Sequence, residues 1–205
     1  MFVISVSIPA SAIEQNYDSS KSYTESARGS TIELARLTIY SYYNSSSGSG
    51  HAFISIKNNM TTSITIGVYT IKPNEEITIG TWGLNDHSGI WYNKEAYGFS
   101  SDSSAVSYFN IYSVHISLDY SDFATINTFI NNNDTWTSTN SCCSFARRLW
   151  NSVSAIDISS TGTNPQSLAN AIRAIGGIRV YSIPSYISGT SKVGYAHNGN
   201  MYETL

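Results

Sequence analysis

The sequence predicts an α+β fold. Three observations carry this. Five β-rich runs lie between residues 35 and 93, each bounded by Asn, Gly, Ser or Pro. Apolar residues switch to helical spacing after about residue 115. The early runs follow one another with short breaks, as in an antiparallel meander, and lack the intervening helices of a parallel sheet.

The elements follow in order. Residues 35–43 alternate and are rich in Tyr, Ile and Thr, so they read as the first strand. The stretch from Asn44 to Gly50 holds only Asn, Ser and Gly and reads as a loop. Residues 51–57 form the second strand, turned by Asn58 and Asn59. Residues 63–71 alternate as a third strand, which Pro73 and Asn74 end; 76–82 and 88–93 are the fourth and fifth. Ser121 is positioned to cap a helix that carries Phe123, Ile126, Phe129 and Ile130 on one face and stops at the Asn run 131–133. A second helix is expected over 141–153. Asn164 followed by Pro165 marks the start of a third, striped by Leu168, Ile172 and Ile175 and stopped by Gly176 and Gly177. Residues 178–182 read as a short strand, and 194–202 as a hairpin on an Asn198-Gly199 turn.

Composition narrows the function classes. Of 205 residues, 41% are hydrophobic, enough for a real core, and only 12% are charged, with a net charge of −3. No basic surface for nucleic acid is expected. The fifteen tyrosines, with Ser, Thr and Asn, make a surface that binds by aromatic contact and hydrogen bonding. Residues 1–12 are apolar and then small, ending in an Ala10-Ser11-Ala12 cleavage pattern, and read as the remnant of a secretory signal peptide. The expected location is therefore secreted or cell-surface. Residues 13–30 form a polar leader, and 31–205 a single domain. No other apolar run approaches the roughly 20 residues of a membrane span, so no stable span is expected.

The chemistry concentrates in two places. The two cysteines, Cys142 and Cys143, are adjacent at the start of the helix expected over 141–153. The positive end of a helix favours thiolate, which is the nucleophilic form. Cys142 falls on one face with Phe145, Ala146, Leu149 and Val153, whereas Cys143 is rotated by about 100° off that stripe. Cys142 is thus the candidate nucleophile and Cys143 a bystander; the competing reading of Cys142 is a small buried hydrophobe. Among the four histidines, His51 opens a strand directly after the Gly/Ser loop, which leaves its ring accessible, and is the candidate base. His115 sits in mid-strand and His197 beside a turn. His87 lies in a loop that could reach a site. Adjacent cysteines without further ligands have no zinc spacing, and no phosphate or dinucleotide fingerprint occurs, so no metal or cofactor is expected.

Two motifs in a particular order add a resemblance. Gly50-His51-Ala52-Phe53-Ile54 comes first, and Cys142-Cys143-Ser144-Phe145-Ala146, continuing to Leu149-Trp150-Asn151, comes late. Together with the segment from Gly80 to Gly83 and on from His87 to Glu95, the chain over about residues 33–155 resembles the circularly permuted branch of the papain-like NlpC/P60 superfamily, in a secreted bacterial form. The resemblance implies a permuted papain-like fold, with an antiparallel sheet against helices that include the nucleophile helix. It implies a cysteine peptidase or amidase acting on peptide or peptidoglycan-like substrates of the bacterial cell wall. Cys142 takes the nucleophile position, its backbone N–H contributes to the oxyanion hole, and His51 is the base. The chain departs from the pattern by carrying Ser141 before Cys142, with Asn140 one place further back. No third member is evident on the strand after His51, where only Thr62, Ser63, Thr65 and Tyr69 are offered; His87 is preferred, with Asn93 as the other choice. Permuted relatives also include lipid acyltransferases and thioesterases with the same Cys–His pair, and an inert binding module on this fold is a third reading.

Overall fold

The computed structural model describes residues 33–101, 105–159, 164–184, 192–197 and 199–204. The expected signal remnant (1–12) and the polar leader (13–30) lie outside the described residues, as does Asn198.

The architecture is α+β, built on one large antiparallel sheet. Its strands are β1 (Ala35–Tyr43), β2 (Gly50–Asn58), β5 (Glu76–Gly83), β6 (Ser88–Tyr92), β7 (Asn110–Leu118), β8 (Ile178–Val180), β9 (Gly194–His197) and β10 (Asn200–Glu203). Their order across the sheet is β10-β9-β6-β5-β2-β1-β7-β8. A separate hairpin holds β3 (Ile64–Ile66) and β4 (Tyr69–Ile71). The helices are α1 (Lys94–Ser101), α2 (Ala105–Tyr108), α3 (Tyr120–Asn132), α4 (Cys142–Val153) and α5 (Pro165–Ala174).

Alternation along the strands sorts side chains between two layers. Leu37, Ile39, Ala52, Ile54, Ile56, Ile77 and Ile79 face the main core, where α4 contributes Phe145, Ala146, Leu149 and Trp150. Each such fully buried large side chain stabilises the fold by about 1.5–3 kcal/mol. Tyr40, Phe53 and Ile111 point to the opposite face and pack with Phe99 of α1. The sheet is therefore covered on both sides near its centre, by α4 and α5 on one and α1 on the other.

Three expectations change. The run 63–71 is a hairpin and not one strand, because Gly67 takes a left-handed φ of 59° and a Cβ there would lie 2.0 Å from Tyr92 Oη. The third helix of the fold is capped by Asp119 and not Ser121: the Asp119 carboxylate accepts from the Ser121 and Asp122 amides in a capping box. Helix α1 was not expected at all. It follows Asn93, which holds a left-handed φ of 58° because its side chain is tied to the Thr78 amide, Tyr69 Oη and the Lys192 carbonyl. That kink turns β6 directly into α1.

Candidate functional site

The site begins at a split in the sheet. β2 pairs with β1 along its whole length, from Gly50 to Asn58. It pairs with β5 only from Ile54 to Lys57, opposite Ile79 to Glu76. Beyond Ile79, β5 continues with β6 to Gly83. The facing edges of β2 (residues 50–53) and β5 (residues 80–83) therefore lack a ladder partner on one side. Helix α4 packs on β2, β5 and β1, with Cys142 as its first residue. Through this opening a thiol from the α4 layer meets an imidazole that the alternation of β2 directs to the α1 side.

Cys142 is half-buried, and Cys143 is 2% exposed. The sequence reading that set Cys143 off the buried stripe is corrected here. α4 lies against the sheet, α3 and α5, so its buried arc is broad enough to take Cys143, Ala146, Trp150 and Val153 beside Phe145 and Leu149. Cys142, with no preceding helical turn over it, keeps access to solvent. The two sulfurs are 3.9 Å apart. Ser141 is the N-cap residue in extended conformation, and its hydroxyl makes no cap bond to the helix amides. The amides of the first turn have no intrahelical partner and remain oriented toward the thiol end of the helix.

The Cys142 thiol is pulled down to about 4. Hydrogen bonding from Cys143 acts most strongly; burial opposes it, and the hydrogen bond and charge of His51 and the backbone N–H of Ala52, on the unpaired edge of β2, add to the lowering. Cys143 moves the opposite way: the neighbouring Cys142 anion, and then burial, push its thiol up. His51 is raised to about 9; burial alone would lower it, but hydrogen bonding and charge from Cys142 and Glu95 prevail. Both shifts run in the direction of thiolate and imidazolium.

His51 is only 6% exposed, more buried than its place after the Gly/Ser loop implies. Its Nε2 lies 3.1 Å from Glu95 Oε1. The same oxygen accepts from Trp82 Nε1 at 2.8 Å. Trp82 also stacks on the His51 ring, with centroids 4.0 Å apart. Oε1 is thus an acceptor for two N–H groups, so Nε2 carries its proton and Nδ1 is left for Cys142. Gly80 provides the room: a Cβ there would come within 2.1 Å of Glu95 Oε1 and 3.1 Å of His51 Nε2. Tyr42, opposite His51 on β1, packs against Phe53, Phe99 and Phe109, and burial first, then the Glu95 and Cys142 charges, keep its hydroxyl protonated.

The remaining sequence candidates lie elsewhere. His87 does not reach His51. Its Nε2 bonds Asp134 Oδ1 at 2.7 Å and its ring stacks on Tyr195, so it ties the β5–β6 loop to the segment before α4. Asn93 is buried in the structural bonds that kink β6 into α1. Asn140 carries the chain into α4: its amide donates to the Asn133 and Thr135 carbonyls, and Arg148 donates to its Oδ1. His115 and His197 are exposed on β7 and β9. Glu95 was the residue the sequence reading missed. The available signal was a lone acid between Trp91, Tyr92 and Tyr97 in a chain with 12% charged residues.

Among the described residues, no cluster of His, Cys, Asp and Glu is arranged to hold a metal ion, and no helix is long and apolar enough to cross a membrane. Compared with protein-family models, curated proteins and solved structures, the chain shows no match to any of them.

Proposed function

We propose that this protein is a cysteine hydrolase of the peptidase or amidase type. The observation that carries the reading is the series Cys142–His51–Glu95, in which a half-exposed thiol at a helix start faces a buried imidazole that a buried carboxylate orients. The same reading takes the fold as a permuted papain-like one, supported by a His-bearing strand early in the chain and the nucleophile helix packed on that strand from later in it. Peptide or peptidoglycan-like amides outside the cell are the proposed substrates, with the signal-like residues 1–12 in favour of that location.

The chemistry follows from the charges. The Cys142 thiolate attacks the amide carbonyl carbon, and the carbonyl electron pair moves to oxygen. The Cys142 backbone N–H, free of an intrahelical bond, donates to the oxyanion. As the carbonyl re-forms, the C–N bond breaks and His51 Nδ1–H protonates the departing amine. Now neutral, His51 takes a proton from water, the hydroxide equivalent attacks the thioester, and the acid leaves as Cys142 thiolate returns. Glu95 keeps the ring in one orientation throughout and offsets the imidazolium charge.

The test is alkylation by iodoacetamide from about pH 5 to 9, with the modified cysteine mapped, followed by release of new amines from cell-wall peptides. Fast labelling of Cys142 below about pH 7, lost in His51→Ala, is expected. Thiols that react only above about pH 8, or only after unfolding, would sink the proposal.

A further inference from the structure

We propose that Cys142 and Cys143 form a peroxide-sensitive pair: a hydroperoxide oxidises Cys142, and Cys143 resolves the product into a vicinal disulfide that reversibly removes the nucleophile. The inference rests on the reading of Cys142 as a reactive thiolate.

Geometry supplies the argument. The sulfurs are 3.9 Å apart, so bond formation needs a closing movement of about 2 Å. Cys142 is half-exposed, whereas Cys143 is 2% exposed and has the Cys142 sulfur beside its own. The closing movement falls in the first helical turn. There the Cys142 and Cys143 amides have no i−4 partners and Ser141 makes no side-chain cap bond, so no hydrogen bond donated by the pair's own amides is lost. The first helical bond, from the Phe145 amide to the Ser141 carbonyl, spans the pair, so the closing movement has to be taken up within that one turn. Neighbouring Cα atoms stand about 3.8 Å apart, closer than in an ordinary disulfide, so the ring is strained and is reopened readily by a thiol reductant.

The steps balance. Cys142–S⁻ attacks the hydroperoxide ROOH, giving Cys142–SOH and RO⁻, which takes up a proton. The Cys143 thiol then attacks the sulfenic sulfur; the S–S bond forms and the hydroxyl leaves with the thiol proton as water. Cysteine is oxidised and the peroxide reduced by two electrons. Formation of the neutral sulfenic acid also removes the Cys142 thiolate, whose hydrogen bond and charge, with burial, hold the Cys143 thiol protonated.

The experiment treats the full chain with hydrogen peroxide, traps free thiols with iodoacetamide and weighs the intact protein. The chain contains only two cysteines, so a loss of two hydrogens within one monomer identifies this bond. The expected product is about 2 Da lighter, blocked to alkylation, and returned by dithiothreitol to its original mass and Cys142 alkylation rate. Cys143→Ser, whose hydroxyl can still donate to the Cys142 sulfur, should instead gain about 32 and then 48 Da and not recover. A wild-type protein that yields only those heavier products, at the rate of the variant, overturns the inference. Fast Cys142 alkylation near pH 6 before peroxide, with no lighter species after it, sinks this inference and leaves the hydrolase reading standing. Absence of that fast alkylation sinks both.

Discussion

His51 and Glu95 meet through a single buried hydrogen bond, Nε2 to Oε1 at 3.1 Å, and that bond commits Nε2 to the carboxylate and leaves Nδ1 as the other ring nitrogen. With Nε2 held by the carboxylate, Nδ1 is the nitrogen that the proposed mechanism uses at Cys142. The partner side chain is 0% exposed and sits on the first turn of α1, where the helix dipole favours a negative charge. Orientation and charge are thus supplied by one group.

Glu95→Gln keeps the shape and removes the charge. The imidazolium loses its support, so the thiolate loses its partner at neutral pH. We expect Cys142 alkylation near pH 6 to slow by about tenfold or more, and turnover to fall by about 10²–10⁴-fold. A variant with an unchanged alkylation profile would show that Glu95 only packs.

Gly80→Ala tests the same contact from the other side. Its Cβ would stand 2.1 Å from Glu95 Oε1, so carboxylate or strand must shift. Urea unfolding should show a loss of about 1–3 kcal/mol, accompanied by the slowed alkylation seen in Glu95→Gln. Wild-type stability and reactivity together would mean that the site is looser than its geometry implies.

The pH dependence has a defined sign. Cys142 is depressed to about 4, so its contribution to stability is full above its unfolded value and is lost as pH falls through about 4. His51 is raised to about 9, so its contribution is full below its unfolded value, near 6.5, and is lost as pH rises through about 9. Between about 6.5 and 9 the two trends oppose, which predicts a level region there and a fall toward acid. Thermal midpoints of wild type and Cys142→Ala, compared across pH, measure it: the variant should lack the acid-side fall that this thiol causes.

His87→Ala separates the two histidine sites. It removes the bond to Asp134, whose Oδ1 also accepts from the Ile90 amide. A stability loss of about 1 kcal/mol is expected, with the Cys142 alkylation profile unmoved. A displaced profile would place His87 in the reactive machinery, against the geometry found.

Residue pattern alone located most of the fold. Alternation in 35–43 and 51–57, the turn residues around them, and the Asn164-Pro165 cap each act over a few residues, so they can be read locally. The positions of Cys142 at a helix start and His51 near a strand start were legible for the same reason, since both are local features. Three things were not local. The burial of Cys143 depends on α4 being enclosed by the sheet and two helices, which helix phase cannot express. The hairpin within 63–71 depends on Gly67 meeting Tyr92 from β6. The third member of the series depends on a left-handed Asn93 that ends β6, starts α1 and carries Glu95 beneath the unpaired edge between β2 and β5. The sequence by itself nominated Cys142 and His51 as the candidate pair. Only the tertiary structure decided that Glu95 and not His87 holds His51, because a buried carboxylate, an indole N–H and a glycine gap had to converge from separate elements on one imidazole nitrogen.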